Sequence, residues 1–321
     1  MKHSRISFIE RAAELYDFGA PLRGDAPAPD AVPVSLPVEP EPTACDPEPM
    51  VREPEPIVAA PALAIKSRPA LARVMEGVVA IDRTALAEAG LIVPGGPVTG
   101  LAEEFRLVKR QLLATMERHV SQSPEKRRSV LVCSGQPREG KSFCAANLAL
   151  SLAGERDSEV LLVDGDVAKH DLLALLGIES GSGLVDALAD PAADPEAFVI
   201  RTDVPGLAVL PAGRQASNVP ELLASERTRE VLARLIEADP RRIILFDSPP
   251  VLMDSVAATL AAHVGQALVV VRADRTTEVD LRESVGLLSA CDHVGLILNG
   301  AGLAVTGRKF GAYYEGRDHE G

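Results

Sequence analysis

The sequence predicts an α/β domain with a doubly wound, mostly parallel sheet. Three observations lead there. From Ser129 onward short apolar runs alternate with segments of helical periodicity, the pattern that lays crossover helices on both faces of a sheet. Several of those runs are continuously apolar, as strands covered on both faces are. The first run leads through a glycine-bearing turn, Gly135 to Ser142, straight into a helix. A ligand of such a sheet belongs at the carboxyl ends of its strands.

Along the chain, Ile6, Phe8, Ile9, Leu15 and Tyr16 recur at roughly helical spacing with Arg5, Glu10, Arg11 and Glu14 between them. An amphipathic helix is expected within residues 1–20, docked on its own domain or offered to a partner. Residues 21–80 read as a linker. Between positions 21 and 70 lie 13 of the chain's 25 prolines, with 8 Asp or Glu against 4 Lys or Arg. Proline removes backbone donors and keeps the chain extended, while the charge resists collapse, so this segment is expected to be disordered, acidic and semi-rigid. The domain is expected over 81–303. It begins with a short helix, 81–90, stopped by Gly90, then a Pro94-Gly95-Gly96-Pro97 loop.

Residues 101–119 predict a long amphipathic helix. Strands are expected at 129–133, 159–164, 207–211, 242–247, 267–271 and 294–298, with helices such as 141–153, 221–237 and 277–290 between them. The uncharged run from Ser255 to Val271 reads as a helix passing into a buried strand. Its 17 residues fall short of the ~20 that span a bilayer. The tail, 304–321, is glycine-rich, is expected to be flexible, and carries Tyr313 and Tyr314.

Composition excludes several function classes. The chain has 321 residues, 46% apolar and 25% charged, and a formal charge of −13. Sequence-independent binding of nucleic acid or anionic lipid needs clustered cations, which that balance does not supply. The four cysteines, Cys45, Cys133, Cys144 and Cys291, form no C-x-x-C pair, against a disulfide framework or a cysteine-rich zinc site. With no signal-peptide core at the N-terminus, the expectation is a soluble cytoplasmic protein without direct membrane insertion.

Chemistry concentrates on Gly135-Gln136-Pro137-Arg138-Glu139-Gly140-Lys141-Ser142. This is G-x-x-x-x-G-K-[ST] between a strand and a helix. Glycines let backbone N–H groups curl around phosphates, and the helix N-terminus adds partial positive charge. Lys141 is expected on the β/γ-phosphates and the Ser142 hydroxyl on Mg2+. Positions 135–143, ending in Phe143, together with Asn299 beyond the last strand, are the expected nucleotide contacts. Two acidic strand ends support the site: Asp164, with Asp166 two residues on, and Asp247. Carboxylates there hold Mg2+ or its waters and orient or deprotonate a nucleophile. Asn299-Gly300-Ala301-Gly302 is no guanine-reading motif, which favours ATP.

These residues resemble the bacterial tyrosine kinases, or BY-kinases, that govern exopolysaccharide synthesis, and among them the autokinases of exosortase (PEP-CTERM) loci. The loop Ser134–Ser142 follows that family's S-x-x-P-x-E-G-K-S form. Asp164 and Asp166 are similar to its second acidic motif, and Asp247-Ser248-Pro249-Pro250 to its Walker B motif. Glu103-x-x-Arg106-x-x-Lys109 resembles the helix through which these kinases form rings; in a monomer that polar face is simply solvated. The segments 220–225 and 265–277 are also similar to the exosortase-associated branch.

The resemblance implies an ATP- and Mg2+-dependent autokinase. Asp164 would serve as base or orienter of a tyrosine hydroxyl, Asp247 as a further Mg2+ ligand, and Tyr313 and Tyr314 as acceptors, usually on a neighbouring subunit. It also implies an inner-membrane polysaccharide co-polymerase or chain-length protein as activating partner. Three positions depart from the pattern: Arg138 where glycine is common, Ala168 where many relatives carry arginine, and a tail with only two tyrosines. Two other readings stay open: a ParA/MinD-like switch ATPase, although Gln136 stands where such proteins carry a second lysine, and a nucleotide-binding adaptor with weak kinase activity.

Overall fold

The computed structural model describes residues 77–301, apart from 170, 215 and 217. The expected N-terminal helix, nearly all of the acidic linker, and the tail with Tyr313 and Tyr314 lie outside these residues.

The sheet has eight strands in the described residues: β1 (Val78–Val79), β2 (Ser129–Ser134), β3 (Glu159–Asp164), β4 (Ile200–Thr202), β5 (Leu207–Leu210), β6 (Arg242–Asp247), β7 (Gln266–Arg272) and β8 (Val294–Asn299). Their spatial order is β1-β4-β5-β3-β6-β2-β7-β8. All neighbours are parallel except β4 and β5. The six strands expected from the sequence are therefore present. β1 and β4, two and three residues long, are too short for periodicity to register. Val78 and Val79 pair with Arg201 and Thr202, so the sheet includes residues from the stretch assigned to the linker.

The helices are α1 (Arg83–Glu88), α2 (Gly100–Arg118), α3 (Pro124–Arg127), α4 (Lys141–Ala153), α5 (Asp171–Leu176), α6 (Leu184–Ala189), α7 (Val219–Ala224), α8 (Glu226–Ala238), α9 (Val256–Ala261) and α10 (Glu278–Leu287). Strand residues alternate between two apolar layers, since successive side chains point to opposite faces. Val130, Val132, Val160 and Leu162 pack under α1, α2, α4 and α5. Leu131, Cys133, Leu161 and Val163 pack under α6, α7, α8 and α9. Among the described residues no helix is long and apolar enough to cross a membrane.

Local chemistry sets the helix ends. The Asp82 carboxylate caps α1 by accepting from the Thr84 and Ala85 N–H groups. Gly90 ends that segment at φ +71, where the Leu91 N–H returns to the Leu86 carbonyl. The single helix expected over 221–237 is two. Ser225 adopts an extended backbone (ψ 161), and its hydroxyl donates to the Leu222 carbonyl at 2.6 Å, a side-chain bond that competes with helix continuation.

Candidate active site

The parallel register brings the functional strand ends side by side. Asp164 at the end of β3 pairs with Asp247 at the end of β6, and Asp247 with Val132 of β2. The turn 135–140 leaves β2 just beyond them and feeds α4, whose first residues are Lys141 and Ser142. Gly165 makes the approach possible. Its N–H donates to the Asp247 carbonyl at 2.7 Å, and a Cβ there would stand 2.6 Å from that oxygen.

The turn is braced from outside. Gly140 has φ +97, and a Cβ would meet the Asn299 Nδ2 at 2.1 Å, so only glycine fits. That amide donates to the Glu139 carbonyl at 2.9 Å. The Glu139 carboxylate is fully buried; it accepts from the Gln136 N–H at 2.7 Å and from the Thr276 hydroxyl. Gln136 in turn donates through Nε2 to Asp280 at 3.3 Å. Glu139 and Asn299, expected as nucleotide contacts, thus spend their side chains holding the turn in shape. Thr276, which follows β7, was not singled out from the sequence; its only signal was the R-A-D-R-T-T run within 265–277.

Lys141 Nζ lies 3.3 Å from Asp166 Oδ2 and 3.2 Å from Ser142 Oγ. Asp164 accepts the Asp166 N–H at 3.1 Å. Asp164 and Asp247 are buried, and burial dominates their acidity. Desolvation pushes Asp164 up to about 7, helped by the nearby charges of Asp247 and Asp166 and opposed by the Asp166 N–H and Lys141. Asp247 is likewise pushed up by burial to about 6, opposed by Lys141 and the Ser142 hydroxyl. Asp247 Oδ1 is a buried acceptor with no hydrogen-bond partner among the described residues. A cavity of about 860 Å3 opens in front of this end, lined by Pro137, Arg138, Lys141, Ser142, Phe143 and Asp166.

This chemistry fits a nucleoside phosphate carrying a divalent cation. Three carboxylates face one lysine, one of their oxygens is left without a donor, and a turn ending at φ +97 presents backbone N–H groups at a helix start. Among the described residues no three acidic, His or Cys side chains form a ready-made metal cage.

The α2 residues divide. Arg106 pairs with Glu103 on the helix surface and keeps 42% of its side chain exposed. Lys109 does not share that solvated face, contrary to the reading of the spacing. It sits in the buried stripe Phe105–Lys109–Leu112–Met116, its ammonium bonded to Glu155 at 2.6 Å and to the Ser151 carbonyl at 3.1 Å. Four-residue spacing from Phe105 carries it under the helix, where its aliphatic stem packs and its charge finds partners at the end of α4.

No family model matches the chain. Among curated proteins it is 31% identical over 231 residues to "Tyrosine-protein kinase wzc" of Salmonella typhimurium, covering 70% of this chain and 30% of that one. It is 28% identical to "Tyrosine-protein kinase YwqD" of Bacillus subtilis, covering 63% of this chain and 82% of that one. The chain spans between 20% and 30% of the length of the first such relatives. Among solved structures, the BceF tyrosine kinase domain superposes with a TM-score of 0.54 at 26% identity, covering 68% of this chain and 91% of that one. By sequence and by fold this chain is a relative of the bacterial tyrosine kinases, and its described domain has the phosphate-loop architecture of their kinase domains.

Proposed function

We propose that the protein is an ATP- and Mg2+-dependent protein-tyrosine autokinase acting in exopolysaccharide biosynthesis or export. The observation that carries this reading is the convergence of Lys141, Ser142, Asp164, Asp166 and Asp247 at one end of the sheet, in a domain related to tyrosine kinases. Phosphoryl transfer asks a protein mainly for positioning and charge neutralisation. Bound Mg2+ supplies charge neutralisation across the phosphates. The backbone of 135–140 cradles those phosphates, Lys141 contacts the β/γ oxygens, and Ser142 with Asp247 holds the cation's coordination sphere. Asp164, half-protonated near neutrality, accepts the proton of the tyrosine hydroxyl at one carboxylate oxygen, as a base matched to its working pH. Gln136 stands where switch ATPases of the ParA/MinD type carry a lysine and donates to Asp280 within its own chain, which favours the kinase reading over that alternative.

Tyr313 and Tyr314 are the proposed acceptors. Incubation with Mg·ATP followed by phosphotyrosine mass spectrometry tests this: phosphate is expected on one or both, and Tyr313→Phe/Tyr314→Phe is expected to remove at least about nine-tenths of it. Phosphate unchanged in that double variant would discard the acceptor assignment while keeping the kinase.

A second copy of the chain delivers the acceptor, and the half-buried Glu103–Arg106 pair on α2 is the proposed contact, with Lys109 confined to anchoring the helix. Arg106→Glu is expected to leave the melting temperature within about 4 °C, since a surface pair of this kind contributes ~0–1 kcal/mol, and to shift the mass by light scattering to that of a monomer. An unchanged mass refutes the contact. The activating partner is proposed to be the cytosolic part of an inner-membrane co-polymerase, which would recruit a cytoplasmic kinase to the membrane.

A further inference from the structure

Arg138 occupies the left-handed region of backbone space, at φ +65. Glycine adopts that conformation freely, whereas a residue with a Cβ is strained there. Strain of this kind persists where function uses the side chain. The fold itself makes no use of it: the guanidinium is exposed and forms no ion pair with any described residue. It lines both cavities that flank the phosphate turn, one of about 860 Å3 with Lys141, Ser142 and Asp166, the other of about 430 Å3 with Gln136, Arg275 and Asp280. Lys169 lines the same two cavities. It is set there by a turn in which its N–H donates to the Asp166 carbonyl at 3.0 Å, and it too has no ion pair among the described residues. Arg138 and Lys169 thus both stand at the mouth of a site whose interior holds three carboxylates and one lysine, with Arg275 reaching the smaller cavity alone.

We infer that Arg138, with Lys169 beside it, contacts the terminal phosphate of the bound nucleotide and neutralises its charge during transfer. The inference rests on the kinase reading above. In that transfer the bond between Pγ and the β–γ bridging oxygen breaks as the tyrosine oxygen bonds to Pγ; the tyrosine proton passes to Asp164 and the nucleoside diphosphate leaves. Arg138 stays protonated throughout and acts through charge and its planar fork of N–H donors, which matches phosphate oxygens in pairs. Lys169, which lines the same two cavities, supplies a point charge.

Arg138→Gly separates this role from a structural one, because it relieves the backbone while removing the cation. Without nucleotide the variant is expected to melt a few degrees higher than wild type. By calorimetry it keeps wild-type affinity for Mg·ADP, but binds a β,γ-imido ATP analogue about tenfold more weakly relative to ADP. Phosphotyrosine formation slows by at least about 10²-fold, and Arg138→Lys recovers part of the ATP-over-ADP preference. Lys169→Ala moves the same ratio in the same direction. An Arg138→Gly protein with the wild-type ATP:ADP ratio and rate overturns the role of Arg138 alone. A wild-type protein that binds neither nucleotide overturns the kinase reading and this inference together.

Discussion

Lys141→Met is expected to cut phosphotyrosine formation with Mg·ATP by at least about 10³-fold, measured by phosphotyrosine mass spectrometry over a time course. Loss of one preorganised donor to developing charge costs about 10²–10³ by itself, and Lys141 is the sole cation that the described structure places against the three carboxylates. Without it, Asp164, Asp166 and Asp247 face one another in a buried site without the lysine charge that opposes theirs, so binding of the nucleotide's phosphates weakens as well as transfer. The same change lowers stability. Lys141 and Asp166 are 13% and 7% exposed at their side chains, and removing one partner of a largely buried pair costs about 3–5 kcal/mol. At roughly 2–4 °C per kcal/mol for a domain of this size, the melting temperature of the nucleotide-free protein is expected to fall by about 6 °C or more at pH 8. The deficit shrinks at pH 6, where the raised carboxylates take up protons instead. An unaltered phosphorylation rate in Lys141→Met would remove the turn from the reaction.

What the sequence disclosed and what it hid follow from the range of each interaction. Gly135–Ser142 is legible because its chemistry is contiguous: glycine spacing, lysine and hydroxyl all lie within eight residues of one strand–turn–helix. Asp164 and Asp247 are legible because each ends an apolar run, and parallel pairing then places them together without further information. The brace around the turn is not legible in that way. Thr276 reaches Glu139 across 137 positions, and Asn299 reaches it across 160, contacts that only the closed sheet creates. Lys109 carries two signals at once, since 105, 109, 112 and 116 form a helical stripe while its charge suits a polar face, and a lysine stem satisfies both. Arg138 marks a place where local rule and structure conflict: the sequence flags an arginine where glycine is common, and the backbone angle explains why glycine is the comfortable choice.

Asp164→Asn is expected to slow catalysis sharply and stabilise the protein at once, the opposite stability response from Lys141→Met. As the proposed base, Asp164 contributes about 10²–10⁴ in rate, so phosphotyrosine formation should fall within that range. The stability gain follows from linkage. The Asp164 carboxyl titrates at about 7 in the folded protein and at about 3.9 when unfolded, so the folded state binds the extra proton. The stabilisation this provides is complete below the unfolded value and is lost as pH rises through the folded one. In the nucleotide-free protein with a chelator present, the melting temperature should therefore fall between pH 5.5 and pH 8, with Asp247, raised to about 6, acting in the same direction. Asparagine keeps an oxygen that can accept the Asp166 N–H, but it carries no charge to bury. With coupling among the three carboxylates, about 2–4 kcal/mol is at stake, or about 5–10 °C at pH 8, with little change at pH 5. Scanning fluorimetry of both proteins across that range decides the point. A uniform drop in melting temperature at every pH would show that Asp164 serves the fold through its charge. A pH-dependent gain together with lost transfer identifies a carboxylate kept buried at a cost in stability, which is the mark of a group held for chemistry rather than for folding.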